Sequence, residues 1–322
     1  MLKFWKIVAF LWGCAVASFG VGADRYPTKP IQLVVGFAPG GPTDILARAV
    51  ANSLSRTLGQ QMVVVNRPGA GSNIAAEIVA RGTPDGYTLL MGSSANAVNA
   101  TLYSKLNFDF PREFTPVNLV GTAPLVLIVV PSLPAATVKE FVALLKAKPG
   151  QINYGSGGYG SSMHLAAEVF RAATGVNVVH VPYGGAAPAV QALLSGQVQF
   201  LFSPIPNALP FARQGKARML AVSTSKRTLF VPELPTMMEA GVPSYDVSPW
   251  WGLFAPAHTP KSVVGVLAKA VEATAKDSDY KKQIDVLGAE PLVSTPERFS
   301  RYVAEEVIRW AKIVKASGAK VD

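Results

Sequence analysis

Residues 31–44, IQLVVGFAPGGPTD, place a five-residue strand-like run directly before a loop rich in glycine and proline. A helical pattern follows over residues 44–58, in which Leu46, Val50 and Leu54 fall near one face. Short apolar runs and helical patterns then alternate along most of the chain. This alternation predicts an α/β fold built on parallel strands.

The other elements are predicted from the same two periodicities. The predicted strands are residues 31–35, 62–65, 87–91, 125–130, 152–154, 178–181, 198–202, 219–222 and 251–255. The predicted helices are residues 44–58, 73–81, 138–146, 161–173, 186–194, 261–275 and 296–314. No internal repeat is evident, so we expect no repeat architecture.

The uncharged stretch 114–138 contains four prolines, which argue against a continuous membrane helix and favour a chain crossing between domains. The chain leaves one α/β unit near residue 122 and returns near residue 224. We therefore predict that residues 24–122 and 225–322 form lobe 1 and that residues 123–224 form lobe 2. A cleft between two such lobes is a common place for a small ligand.

Residues 1–23 are predicted to be a secretory signal peptide. Lys3 and Lys6 precede an uncharged apolar run, and the small residues 20–23 predict cleavage before Asp24. We therefore expect a periplasmic protein, for which cytosolic cofactors and chromosomal DNA are improbable partners.

Two alternatives to cleavage remain open. Residues 7–23 carry no charge, but the run is shorter than the roughly 20 apolar residues of a membrane span. A lipid anchor at Cys14 is the second alternative, although Trp12 is bulky for a lipoprotein site. Lipidation would hold the same fold at the membrane surface.

Composition narrows the partners further. Cys14 is the only cysteine, so the mature chain has no disulfide. The full chain carries a formal net charge of +10. Two of its positive charges, Lys3 and Lys6, lie in the predicted leader and would be lost on cleavage. The basic residues are dispersed and not interleaved with aromatics, which argues against nucleic-acid binding. The charge fits attraction of anionic solutes, or a basic surface without functional meaning.

Five loops at predicted strand ends carry glycines and short polar side chains ahead of a helix or at a sheet edge. Such loops let the backbone approach a ligand, and a helix start offers unpaired N–H groups to an anion. The candidate ligand-binding residues are Phe37, Gly40, Gly41, Thr43, Asp44, Ser93, Ser94, Asn96, Ser156, Gly157, Ser161, His164, Tyr183 and Ser203.

Each candidate also has a purely structural interpretation. Thr43 or Asp44 can cap the helix, and Asp44 can form an internal ion pair. The segment 93–96 can be a capped helix start. Tyr183 can be an interior tyrosine with a satisfied hydroxyl, and His164 can serve packing or capping.

Residues 155–160 spell G-x-G-x-x-G after a predicted strand, and this pattern is typical of a dinucleotide-binding site. That fold needs an acidic residue about 20 positions further on, to hold the ribose. The chain has no Asp or Glu between Glu168 and Glu233. The dinucleotide interpretation therefore fails. The remaining interpretation is that this loop binds an anion at the start of the following helix.

Signals for catalysis are sparse. His164, His180 and His258 form no metal-binding spacing, and no serine occupies G-x-S-x-G. We expect no enzyme activity, no metal and no cofactor. The remote alternative is a periplasmic hydrolase, which would need one of these histidines beside a cleft serine with an orienting acid.

Several motifs in succession resemble the Bug-type periplasmic solute receptors of tripartite tricarboxylate transporters. They are Tyr26-Pro27, PGGPTD at 39–44, NRPGAG at 66–71, PDGYTL at 84–89, YGSGG at 154–158 and VPY at 181–183. The resemblance implies a two-lobed type II periplasmic binding protein fold that closes on a small carboxylated solute. It implies that amides, hydroxyls and water hold the ligand, at the loops 37–44, 92–96 and 155–162 and at Tyr183 and Ser203.

The chain departs from the family pattern at two positions. Ser203 stands where many relatives carry Asp, which weakens the case for an amino acid ligand. Gly184 stands where many relatives carry Lys or Arg, which weakens the case for a highly charged tricarboxylate.

The resulting expectation is a monomeric binding protein that captures a small organic carboxylate by lobe closure and delivers it to membrane permease subunits. The main alternative is a sensing subunit that signals to a membrane kinase by the same closure.

Overall fold

The structure is a computed structural model and describes residues 26–158 and 161–317. The predicted leader 1–23, with Cys14, and residues 159–160 of the G-x-G-x-x-G loop lie outside the described residues. Within the described ranges, no helix has both the length and the apolar composition that crossing a membrane requires.

Strands and helices alternate, and each predicted strand and helix is present within a few residues of its predicted bounds. The predicted elements did not include the strands at Phe114–Thr122 and Glu290–Pro291 or the helices at Ser94–Leu102, Ile205–Arg213 and Ser278–Asp285. The strands are β1 (Ile31–Val35), β2 (Met62–Asn66), β3 (Thr88–Ser93), β4 (Phe114–Thr122), β5 (Leu125–Val129), β6 (Asn153–Ser156), β7 (Val179–Pro182), β8 (Phe200–Pro204), β9 (Arg218–Val222), β10 (Trp250–Pro256) and β11 (Glu290–Pro291). The helices are α1 (Pro42–Leu58), α2 (Asn73–Ala80), α3 (Ser94–Leu102), α4 (Val138–Ala147), α5 (Ser162–Thr174), α6 (Ala186–Leu194), α7 (Ile205–Arg213), α8 (Lys261–Thr274), α9 (Ser278–Asp285) and α10 (Pro296–Ser317).

The strands form two separate sheets. The first has the order β11-β4-β10-β3-β1-β2, and the second has the order β7-β6-β8-β5-β9. Strands β1, β2 and β3 are parallel, as are β6, β7 and β8. Strands β10 and β5 run antiparallel to their neighbours, so both sheets are mixed rather than purely parallel.

The predicted apolar face of α1 packs on the first sheet. Leu46, Val50 and Leu54 are fully buried in one cluster with Leu33 and Val35 of β1. Burying a side chain of this size contributes roughly 1.5–3 kcal/mol. This packing holds α1 against the sheet from its first turns, and it therefore fixes the position of the loop that precedes the helix.

Polar contacts tie together the segments where the chain crosses between the sheets. The Ser223 hydroxyl accepts from the Leu125 amide at 3.0 Å and donates to the Val247 carbonyl at 2.7 Å. The Ala123 amide donates to the Pro249 carbonyl at 2.9 Å. These bonds hold the outgoing and returning segments side by side.

Part of the chain after residue 224 packs on the second sheet. Val231 lies in a buried cluster with Ile128 of β5, and the Tyr245 hydroxyl donates to the Ala166 carbonyl of α5 at 2.9 Å. The chain rejoins the first sheet at Trp250. The predicted lobe division at residues 123 and 225 stays a prediction.

Candidate functional site

A cavity of about 740 Å³ is lined by residues from both sheets and by the first residues of five helices. The lining residues at the helix starts are Pro42 and Thr43 of α1, Ser94 and Ala95 of α3, Ser162 of α5, Ala186 of α6, and Pro206 and Asn207 of α7. The first N–H groups of a helix have no partner within the helix and carry a partial positive charge. The cavity is therefore suited to an anion.

The loop before α1 is shaped by Gly40 and braced by Asp44. Gly40 has φ +79°, a left-handed conformation that favours glycine, and its amide donates to Asp44 Oδ2 at 2.9 Å. Asp44 also accepts from Arg48 Nε at 2.9 Å and from Asn66 Nδ2 at 2.9 Å. The carboxylate thus holds the loop in place through its bond to Gly40. Its contact with Arg48 is an internal ion pair, which was one of the predicted alternatives for Asp44.

The Asp44 carboxylate is ionised in this setting. Burial alone would raise its pKa, but the hydrogen bonds from Arg48, Gly40 and Asn66 outweigh burial and hold the pKa below the ordinary value. Asp44 is not among the cavity-lining residues, so its direct contact with a ligand stays a prediction.

Thr43 and Trp251 form a buried pair in the cavity wall. Trp251 Nε1 donates to Thr43 Oγ1 at 2.9 Å, and each residue is 7 % exposed. Because the Thr43 oxygen accepts this bond, its own hydroxyl hydrogen remains free to be donated to a ligand oxygen.

The start of α3 contributes a second polar wall. Ser93 and Ser94 line the cavity together with Ala95. Asn96 lies behind them, 2 % exposed, and accepts from the Ser93 amide at 2.9 Å. Ser93 and Ser94 therefore reach the cavity, whereas Asn96 holds the helix start in position.

The second sheet supplies the opposing wall. Ser161 caps α5 by accepting from the His164 amide at 3.3 Å, and its hydroxyl donates to the Gly158 carbonyl at 2.7 Å. Ser161 and Ser162 line the cavity. Of the predicted residues, Phe37, Gly40, Gly41, Thr43, Ser93, Ser94 and Ser161 thus converge on one space.

A cluster of titratable side chains lies behind this wall, away from the cavity lining. The Ser156 hydroxyl lies 2.7 Å from His180 Nε2, and the rings of His180 and His164 stack with centroids 4.4 Å apart. His164 Nε2 is 3.9 Å from Glu168 Oε1, which accepts from the Tyr154 hydroxyl at 2.6 Å. Burial, and then the charge of His164, lower the pKa of His180 to about 4.

This cluster bears on the hydrolase alternative, because it places a histidine beside a serine. Ser156 is fully buried and outside the cavity lining. The Glu168 carboxylate is held by Tyr154 and by Arg171 Nη1 at 2.8 Å. The lowered pKa makes His180 a weak base near neutral pH. The arrangement therefore does not present an activated nucleophile to the cavity.

The other predicted residues of the second sheet also lie outside the lining. The Ser203 hydroxyl is fully buried and donates to the Pro204 carbonyl at 2.9 Å. The Tyr183 hydroxyl donates to Gln197 Oε1 at 3.4 Å. A Cβ on Gly157 would lie 3.4 Å from the Gly185 backbone, which is an ordinary van der Waals contact. Ligand contacts by Ser203, Tyr183 and Gly157, as by Ser156, Asn96 and His164, stay predictions.

Several lining residues had no sequence signal. They are Pro206, Asn207, Pro249, Trp250, Trp251, Val286 and Leu287. In the sequence, Trp250 and Trp251 were interpreted as packing residues of an apolar strand. Helix α7 was not predicted, because its prolines interrupt the helical pattern. Only the fold brings these residues to the loops at residues 37–43 and 93–95.

No metal site accompanies the cavity in the part of the chain that the structure describes. Over residues 26–158 and 161–317, no group of three or more His, Asp or Glu side chains is placed to hold an ion.

Comparison with known proteins shows the family. The model of the family described as "Tripartite tricarboxylate transporter family receptor" matches residues 46–319. BugT of Bordetella pertussis is 35 % identical over 323 residues, covering 100 % of this chain and 99 % of BugT.

Solved structures give the same result. Rpa4515 of R. palustris, solved with adipate, is 37 % identical with a TM-score of 0.75, covering 92 % of this chain and 100 % of that one. MatC (Rpa3494) of Rhodopseudomonas palustris, solved with bound malate, is 34 % identical with a TM-score of 0.72, covering 90 % and 100 %.

These similarities confirm the predicted fold class, α/β with two lobes of the type II periplasmic binding protein kind, and the predicted resemblance. The family match begins inside α1 and ends beyond Ser317, so it includes the whole second sheet and every helix start at the cavity except that of α1. The chain therefore belongs to the tripartite tricarboxylate transporter receptor family, a family of periplasmic solute-binding proteins.

Proposed function

We propose that this protein is an extracytoplasmic receptor that binds a small organic carboxylate between its lobes and delivers it to the permease subunits of a tripartite tricarboxylate-type transporter. The observation that carries the proposal is the convergence of five helix starts, from both sheets, on one cavity. The relatives solved with adipate and with malate support a carboxylate as the ligand.

Capture would proceed by lobe closure. A ligand shifts an open–closed equilibrium only through contacts that differ between the two states, so it must touch both lobes when they close. Thr43 and Ser93 stand on the first sheet's side of the cavity, and Ser161 and Ser162 on the second's. Hydrogen bonds to a charged group contribute about 1.5–3 kcal/mol each. Several of them support micromolar binding after the costs of association.

Two further contacts connect the two sides of the cavity in this conformation. The Glu290 carboxylate of β11 accepts from the Thr228 hydroxyl and from the Leu229 amide, the latter at 3.1 Å. A Cβ on Gly288 would lie 2.6 Å from Pro206 Cδ of α7, so only glycine permits this approach. These contacts join the end of the α9–β11 region to chain segments that pack on the second sheet.

The remaining features of the proposal rest on the sequence. We expect a monomer that works without catalysis, metal or cofactor, exported by cleavage before Asp24. Lobe 1 would comprise residues 24–122 and 225–322, and lobe 2 residues 123–224. Sensing through a membrane kinase is the alternative role for the same closure.

A thermal-shift screen of the mature chain tests ligand binding. Monocarboxylates, dicarboxylates and aromatic carboxylates are compared with sugars and metal cations, because a ligand that binds only the folded protein raises Tm by mass action. We expect a shift with at least one carboxylate and none with the other classes. A shift with sugars or cations alone would contradict the proposal.

Uptake of the labelled carboxylate by cells with and without the gene then separates transport from sensing. Loss of uptake supports delivery to a permease. Retained uptake with a lost transcriptional response supports the sensing alternative.

A further inference from the structure

The cavity wall offers polarity without charge. Of the described residues that line it, none carries an Asp, Glu, Lys, Arg or His side chain. Asp44 and Arg48 of α1 lie outside the lining and form an ion pair through two hydrogen bonds of 2.9 and 3.0 Å. An anion in the cavity therefore meets amides, hydroxyls and helix starts only.

Such a wall limits how many carboxylates it can hold. A helix start carries a charge equivalent of about +0.5, so two or more of them suit one carboxylate. Each further carboxylate adds a full negative charge that loses water and repels the first. A cavity without a cationic side chain thus disfavours a tricarboxylate.

The rest of the wall is apolar. The Trp251 indole N–H is engaged by Thr43, so this residue presents its ring rather than a donor. Leu165 lines the second sheet's side, while Val286 and Leu287 line the first sheet's side near the end of α9. Contact with a hydrocarbon group would bury these surfaces favourably, whereas they provide no hydrogen-bond partners for hydroxyl groups of a ligand.

The cavity is also larger than a short acid needs. Its volume of about 740 Å³ corresponds to roughly 25 water molecules at about 30 Å³ each. A compact, polar acid would leave much of the apolar wall wetted. A longer or aromatic body would displace that water.

We infer that the ligand of this receptor is a mono- or dicarboxylate carried on an extended hydrocarbon or aromatic body, rather than a tricarboxylate or a short polyhydroxylated acid. This inference rests on the proposed carboxylate-binding function. A carboxylate meets the helix starts at Thr43 and Ser93, and the apolar body lies against Trp251, Val286 and Leu287.

Isothermal titration of the mature chain with succinate, adipate and suberate tests the inference, with tricarballylate and citrate in parallel. Burying one methylene is worth about fourfold in affinity, so each step of two methylenes should tighten Kd by up to about fifteenfold. The two tricarboxylates should bind more weakly than adipate.

A matched pair of valine variants locates the effect. Val286 lines the cavity and is 66 % exposed, whereas Val293 is 43 % exposed and does not line it. Val286→Ser should lower the suberate-to-succinate affinity ratio by about threefold, because the body loses apolar contact. Val293→Ser should leave the ratio unchanged.

The outcomes separate this inference from the proposed function. A flat dicarboxylate series with tight tricarboxylate binding would overturn the inference and leave carboxylate binding intact. A ratio unchanged in Val286→Ser would also overturn the placement of the body. Absence of binding to every carboxylate would overturn the proposed function itself.

Discussion

The hydrogen bond between Trp251 and Thr43 links the stability of the fold to the ligand site, and the variant Thr43→Val tests both. Valine keeps the shape of threonine but removes the oxygen that accepts from Trp251 Nε1 at 2.9 Å. The pair is almost fully buried, so the indole N–H would be left without a partner. An unsatisfied buried donor costs about 1–3 kcal/mol, and the free energy of unfolding should fall by that amount.

A double-mutant cycle with Trp251→Phe isolates this bond from packing. Trp251→Phe alone removes the donor and some packing, and it leaves the Thr43 hydroxyl free to turn elsewhere. In the double variant the donor and the acceptor are both gone, so the loss should be smaller than the sum of the single losses by about 1 kcal/mol. Urea unfolding of the ligand-free protein measures each corner of the cycle.

The same variants separate the structural role of Thr43 from its role in binding. Thr43→Val should weaken carboxylate binding roughly tenfold or more, because a hydrogen bond to a charged group is lost. Strictly additive stabilities in the cycle would refute the Trp251–Thr43 bond. Full affinity in Thr43→Val would remove this hydroxyl from the ligand site.

Three further predictions follow from named contacts. Ser93→Ala should weaken carboxylate binding roughly tenfold and, because Ser93 is the N-cap of α3, lower the free energy of unfolding by about 1 kcal/mol; unchanged affinity by calorimetry would contradict a contact with this hydroxyl. Because burial and His164 depress the pKa of His180 from 6.5 to about 4, the unfolded chain binds a proton first as pH falls. Stability should therefore drop by about 1–2 kcal/mol between about pH 7 and about pH 4, allowing for partial exposure of the ring, and His180→Gln should show a smaller drop in urea unfolding. Gly288→Ala should weaken every carboxylate by a similar factor, since its Cβ meets Pro206 at 2.6 Å and its φ is +61°; calorimetry showing a loss for one ligand only would argue against an effect on closure.

Local chemistry was sufficient to place most of the site's polar residues. Gly40 and Gly41 ahead of α1, and Ser93 and Ser94 ahead of α3, were predicted from glycine content and from their position between strand and helix. They line the cavity because the backbone geometry of a strand–helix turn is encoded within a few residues. Ser161, the cap of α5, was found in the same way.

The orientation of a side chain was harder to predict from the sequence where it depends on residues of other elements. Asp44 sits in the same loop, yet Arg48 and Asn66 draw its carboxylate away from the cavity. His164 turns toward His180 and Glu168, and the helix that carries it packs on β6 and β8. The direction of His164 is not visible in the local sequence pattern, whereas an internal ion pair of Asp44 was one of the predicted alternatives, and its partner Arg48 lies four residues further on.

The sequence by itself determined the alternation of strands and helices, the parallel pairing within each half and the glycine-lined helix starts, since these follow from periodicity and short-range backbone preferences. The tertiary structure alone decided the reversed strand β10, the packing of residues 231–247 on the second sheet, and the apolar wall formed by Trp251 and Leu287. These features join residues that are far apart in the chain, and contacts over such distances are set by the burial of complementary surfaces rather than by any local motif.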